Sequence, residues 1–121
     1  MLTKHPNLKG IFVVWDVPAE GALAAARSAG RNDLAITTID LGTNVALDIA
    51  QGGMIKGLGA QLPYDQGVAE AILAAYALLG KETPPYVAVP ALQVTKENIL
   101  DSWKTVYQVD APNTIQNAAK K

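Results

Sequence analysis

The chain has 121 residues, a formal net charge of −1, no cysteine and a single histidine, His5. That excludes a disulfide scaffold, a thiolate zinc site, a cysteine nucleophile and a multi-histidine metal centre. It also excludes an electrostatic grip on nucleic acid, which needs clustered Lys and Arg. Half the residues are hydrophobic, but twenty of them are Ala, so the set of large apolar side chains is modest. The length suits one domain with its own core.

Residues 1–6 contain Lys4, His5 and Pro6 and no apolar stretch of the kind that makes a secretion signal. His5 beside Pro6 reads as a surface residue. Gly10–Trp15 is a short β-branched and aromatic run, the pattern of a strand in a parallel sheet. Asp16, Pro18 and Glu20 then suit a helix start, and an Ala-rich helix over Ala19–Ala29 is expected to end at Gly30 in the left-handed region. Leu34–Ile39 is a second strand, ending at Asp40. Thr43 is the expected cap of a short helix over Asn44–Gln51, stopped by Gly52 and Gly53.

Ile55–Gln61 reads as a third strand, weakened by Gly57 and Gly59. Pro63 opens a long helix in which Val68, Ile72, Ala75, Leu78 and Leu79 recur at helical spacing, closed by Gly80. Tyr86–Val89 is expected as a fourth strand and Leu92–Thr95 as a further one. Thr95 can cap a helix over Lys96–Tyr107, and Asp110 another after Pro112. Asn117–Lys121 reads as a fraying helix end. No run approaches the about 20 apolar residues that span a bilayer.

Alternating strands and helices imply βαβ units: an α/β fold, a three-layer parallel sheet with flanking helices. Ligands in such sheets sit beyond the carboxyl ends of the strands. That singles out Trp15, Asp16, Asp40 and Gln61. Trp15 offers a flat apolar face, although a Trp at a strand end also serves as the edge of a core. Asp40 offers a charge-assisted acceptor or a plain turn residue, and Gln61 both a donor and an acceptor. Asp16 also suits the role of helix cap. Together they fit a small polyhydroxylated ligand, with C–H faces for an indole and hydroxyls for the polar groups. No Ser or His stands beside a base, and no two acids form an acid/base pair, so a binding function without catalysis, metal or cofactor is expected. Gly57-Leu-Gly59 lacks the third glycine of a dinucleotide fingerprint, with Leu62 in its place, and is set aside. A phospho-acceptor receiver is set aside too, because Pro90-Ala-Leu92 follows the late strand where a Lys is needed.

These motifs, in this order, resemble a known family. His5–Phe12, Trp15-Asp16, Gly21-Ala-Leu23, Ile39-Asp40, Gly59–Gly67 and the tail from Pro90 through Ile99 are similar to the second lobe of ribose-type periplasmic sugar-binding proteins of ABC transporters. The resemblance covers almost the whole chain. It implies a periplasmic binding protein type I fold, incomplete here, and a sugar or polyol ligand touched by Trp15, Asp16, Asp40 and Gln61. Many members place a polar residue, often Asn, where Trp15 stands, so stacking is implied there instead of hydrogen bonding. The implied layout puts residues 1–62 and about 91–121 in the second lobe, with about 63–90 crossing to a first lobe. A fragment of a longer periplasmic parent follows, weak or inactive alone, with a membrane permease as the parent's partner and a homodimer as the expected state of the piece. The effector-binding portion of a lactose-repressor-type regulator shares the fold and is the alternative, as is a stand-alone flavodoxin-like signalling domain.

Overall fold

A computed structural model describes residues 1–120; Lys121, the last residue of the expected fraying end, lies outside the described residues. The first strand, β1 (Gly10–Phe12), is shorter than the run that encodes it. One more bond, from the Val13 amide to the Thr37 carbonyl at 2.9 Å, extends the pairing before the chain turns into α1 (Asp16–Ser28). Next come β2 (Ala35–Ile39), α2 (Thr43–Ala50) and β3 (Ile55–Ala60). The helix α3 (Pro63–Leu78) leads through an irregular segment to β4 (Leu92–Val94). A 3-10 turn (Lys96–Asn98) runs into α4 (Ile99–Tyr107), and α5 (Asn113–Ala119) follows. Gly30, Gly52 and Gly80 take φ of +68°, +69° and +65° just past α1, α2 and α3, as their positions required.

The α/β class holds. The described strands form one sheet in the order β1-β2-β3-β4, with β1, β2 and β3 parallel. β4 departs from the all-parallel expectation and runs antiparallel to β3, with Leu58 opposite Val94. An apolar run carries no direction of its own; the return path from α3 sets it. Gly57 has a use at this junction. A Cβ there would lie 2.9 Å from the Val94 carbonyl, so only glycine lets β4 approach.

Between Ile36 and Thr37 the register of β2 on β3 slips, leaving Lys56 unpaired. The slip lets Ile55, Leu58 and Ala60 all turn into the core although they do not alternate strictly. On β2 the alternation is clean: Ile36 and Thr38 are buried, and Ala35, Thr37 and Ile39 are exposed. Packed against the buried face are α1, α2 and α4, and α5 lies on α2 and α4. Leu34, Ile36, Ile49, Ile55, Ile99 and Ile115 are sealed between these layers. Burying each such side chain contributes about 1.5–3 kcal/mol before entropy is counted. Phe12 and Ile39 stay exposed on the opposite face, in keeping with the expected incomplete fold.

Other boundaries differ from expectation. Tyr86–Val89 is not a strand; no described strand runs beside it, and Pro84, Pro85 and Pro90 have no amide hydrogen to donate. Val87 and Val89 lie instead beside Gln66 and Leu73 of α3. Thr43 is the first residue of α2 and Gly42 its cap. Asp110 does not cap α5, which Pro112 precedes; its carboxylate meets Lys104 Nζ at 3.2 Å. At Thr95 the expected helix start is present, and its amide donates to Asn98 Oδ1 at 2.8 Å. His5 is exposed, as expected. No described helix is long and apolar enough to cross a membrane.

Candidate functional site

The carboxyl ends of β2 and β3 are adjacent in the sheet, so the residues that follow them meet. Asp40 leaves β2 with φ +70°, and its amide donates to the Gly59 carbonyl at 3.0 Å. An L-residue in this region costs about 1–2 kcal/mol, least for Asp and Asn. The turn directs the half-buried carboxylate toward Gln61, whose Nε2 donates to Asp40 Oδ1 at 2.8 Å. Gln61 Oε1 in turn accepts from Gln66 Nε2 at 3.2 Å, from the first turns of α3.

Asp16 enters from the end of β1. It is the first residue of α1 and not its cap, which is Trp15 in extended conformation. Its Oδ1 accepts from the Val17 amide at 2.8 Å. Its Oδ2 lies over Gly42, 2.3 Å from where a Cβ would stand, so the carboxylate sits where only a glycine leaves room.

Tyr107 closes the floor. It ends α4, its ring centroid 4.5 Å from that of Trp103 one turn earlier, and its hydroxyl donates to the Leu41 carbonyl. Burial raises the Tyr107 phenol above its ordinary range, and the Asp16 and Asp40 charges raise it further. The result is a cleft of about 330 Å³ lined by Asp16, Asp40, Gln61, Gln66 and Tyr107, with Leu41, Pro63 and Val106.

Of the four residues singled out by sequence, Asp16, Asp40 and Gln61 come together in this cleft. Trp15 does not line it; its indole is half exposed at the adjoining position, in an apolar stretch with exposed Phe12, Val14 and Val17. Gln66 and Tyr107 escaped the sequence reading. Gln66 repeats the amide chemistry of Gln61 five residues on, which is a usable signal. Tyr107 arrives only through the packing of α4, which no local pattern announces. Among the described residues, no group of three or more acids or histidines is placed to hold a metal ion. The cleft can therefore do one kind of chemistry well: it holds acceptors and amide donors side by side over a Tyr floor, as polar hydroxyl recognition needs.

Residues 1–83 match the model of the periplasmic binding protein domain. The chain is 38% identical over 66 residues to the D-apiose import binding protein of Actinobacillus succinogenes, covering 54% of this chain and 21% of that protein. Among solved structures, an ABC sugar transporter subunit from Rhodobacter sphaeroides superposes with a TM-score of 0.70 at 34% identity, over 81% of this chain and 36% of that one. An ABC transporter solute-binding protein from Agrobacterium vitis, solved with bound allitol, gives 0.72 at 29% identity, over 85% and 37%. The chain thus spans little more than a third of the structures it matches. The matched segment contains Asp16, Asp40, Gln61 and Gln66, and with the parallel β1–β3 sheet and its strand-end cleft it places the chain in the periplasmic binding protein family.

Proposed function

We propose that this chain carries part of the sugar or polyol site of a solute receptor for an ABC importer. The observation that carries the reading is the Gln61–Asp40 hydrogen bond at 2.8 Å inside the strand-end cleft. A carboxylate and an amide side by side both accept and donate, which a ring or chain of hydroxyls requires. Two relatives support it by what they handle: one is a D-apiose import binding protein, the other was solved with allitol. Trp15 and Asp16 complete the site, the indole packing on C–H faces and the carboxylate accepting a hydroxyl. Binding proceeds without catalysis. Import relatives favour this over the regulator reading.

In this reading residues 1–62 and about 91–121 belong to one lobe, and about 63–90 cross to another. The crossing is supported by α3, which buries none of its residues. Closure of two lobes on the ligand would form the surface that a membrane permease reads, in the periplasm. The chain alone then binds weakly, since it supplies one side of the ligand. A second copy seated on the uncovered sheet face completes the reading for the isolated chain. Light scattering tests that last point, and a monomer at high concentration overturns it.

Calorimetric titration with neutral pentoses, hexoses and alditols tests the site. Heat with at least one of them, lost in Asp40→Ala, is the expected result. No heat from any sugar, or heat untouched by Asp40→Ala, removes the assignment.

A further inference from the structure

We propose that Gln66 is a positioning residue: with Asp40 it holds the Gln61 amide facing one way, and so helps set the donor–acceptor pattern that the cleft shows a hydroxylated ligand. The proposal rests on the sugar reading of the cleft and adds a residue that the reading does not contain.

The direction of the chain Gln66–Gln61–Asp40 follows from chemistry. An ionised carboxylate only accepts. Asp40 is held in place by its turn and by its amide bond to Gly59, so Gln61 can meet it only through Nε2, as it does at 2.8 Å. Gln61 Oε1 must then face the other way, and whatever meets it must donate. Gln66 Nε2 does so at 3.2 Å. Gln61 is exposed and Gln66 half buried, so water competes for the Gln61 amide and no packing wall holds it. Gln66 stands one turn into α3, with its Nε2 beside the Gln61 amide oxygen.

The consequence is a defined pattern. After both bonds are made, Gln61 keeps one free N–H and Asp40 keeps Oδ2. A donor and an acceptor lie next to each other, and two adjacent hydroxyls can satisfy them, one donating and one accepting. With the amide reversed, Asp40 and Gln61 would both present oxygen. Gln66 therefore selects against the reversed pattern by acting on Gln61.

The test compares Gln66→Glu, Gln66→Lys and Gln66→Ala in the full chain. Glu has the shape of Gln and suits the first turns of a helix, but it cannot donate when ionised. Lys has a different shape and only donates. A packing role ranks Glu above Lys; a donor role ranks Lys above Glu. The first readout needs no ligand: the Gln61 side-chain NH₂ signals in a ¹⁵N–¹H spectrum, assigned through Gln61→Ala. They are expected to stay in place with Lys and to move to the averaged position of a free amide with Glu and Ala. The second readout is titration with allitol and neutral sugars. Glu and Ala are expected to weaken binding about tenfold, the equivalent of one oriented hydrogen bond, and Lys to recover most of that loss. Unmoved Gln61 signals in Gln66→Glu, or tighter binding with Glu than with Lys, would overturn the proposal. If the wild-type chain binds no sugar, the sugar reading falls and the NH₂ spectra still decide what Gln66 does.

Discussion

Two carboxylates in this chain sit against glycines, and the comparison shows how environment decides the cost of one methyl group. A Cβ on Gly53 would fall 2.4 Å from the Asp48 carboxylate. Asp48 is buried and pinned, by Arg27 at 2.7 Å and by the Ile55 amide at 2.8 Å. A Cβ on Gly42 would fall equally close to Asp16, which is half buried and held, among the described residues, by its neighbour Val17. Gly53→Ala is therefore expected to cost about 2–3 kcal/mol, near the top of the range for overpacking, and Gly42→Ala about 1 kcal/mol. Denaturant melts check the order. Gly42→Ala should also push Asp16 out of the cleft and change ligand affinity, which Gly53→Ala should leave alone. Tyr107 gives a pH signature. Its folded phenol keeps its proton to higher pH than the unfolded one. That contribution to stability is whole below the ordinary Tyr value, about pH 10, and is lost as pH rises from there through the higher folded value. Melting temperature should fall more steeply between about pH 9 and 11 in the wild type than in Tyr107→Phe. Asp40 and Gln61 were legible in the sequence because each directly follows a strand, and parallel neighbours bring such positions together. Tyr107 was not, since its place depends on how α4 lies under the sheet edge.

At the scale of elements, the N-terminal segment shows how a stretch without regular structure is fixed. Arg31 donates to the carbonyls of Pro6 at 3.0 Å and Leu8 at 2.6 Å, and its Nε meets Asp33 at 2.6 Å. Lys9 reaches Asp33 at 2.9 Å. The Arg31 bond first, and the Lys9 bond second, hold the Asp33 carboxyl well below its usual range. Its stabilising effect is complete above the ordinary carboxylate range, about pH 4, and is lost as pH falls below it. Asp33→Asn should flatten the acid limb of a stability–pH curve, and the group is exposed enough that added salt should shrink the difference. Nothing in the hydrophobic pattern forecasts this clamp, because Arg31 and Asp33 read as ordinary polar loop residues. Tyr86–Val89 is the opposite case. Its side chains suit a strand, yet a strand exists only when another supplies hydrogen-bonding partners, and the three prolines around it limit what it can donate. The direction of β4 was equally illegible, while the parallel β1–β3 core and its helices follow from periodicity and turn residues alone.

For the molecule as a whole, stability is uneven. α1, α2, α4 and α5 seal one face of the sheet, whereas α3 buries none of its residues and Phe12 and Ile39 face outward on the other side. An Ala-rich helix with little packing opens readily, since most helical stability in proteins comes from a buried face. Amide hydrogen exchange should therefore be faster over Pro63–Leu78 than over β2, β3 and α2 by about a hundredfold or more. Equal protection would show that α3 is covered in solution. Gln66 lies in this loosely held helix while Gln61 and Asp40 stand on the sealed layer. The site thus spans the firmest and the loosest parts of the chain. That placement fits the proposed receptor, whose ligand would draw two parts together.

The central claim, that the strand-end cleft recognises hydroxylated ligands, is tested most directly by following ¹⁵N–¹H spectra of the chain during titration with allitol and a panel of neutral sugars. Chemical-shift mapping detects binding even at millimolar affinity. The account predicts shifts centred on Asp16, Asp40, Gln61 and the Trp15 indole with at least one ligand, and their disappearance in Asp40→Ala. Shifts clustered elsewhere, or no shifts with any member of the panel, would contradict it.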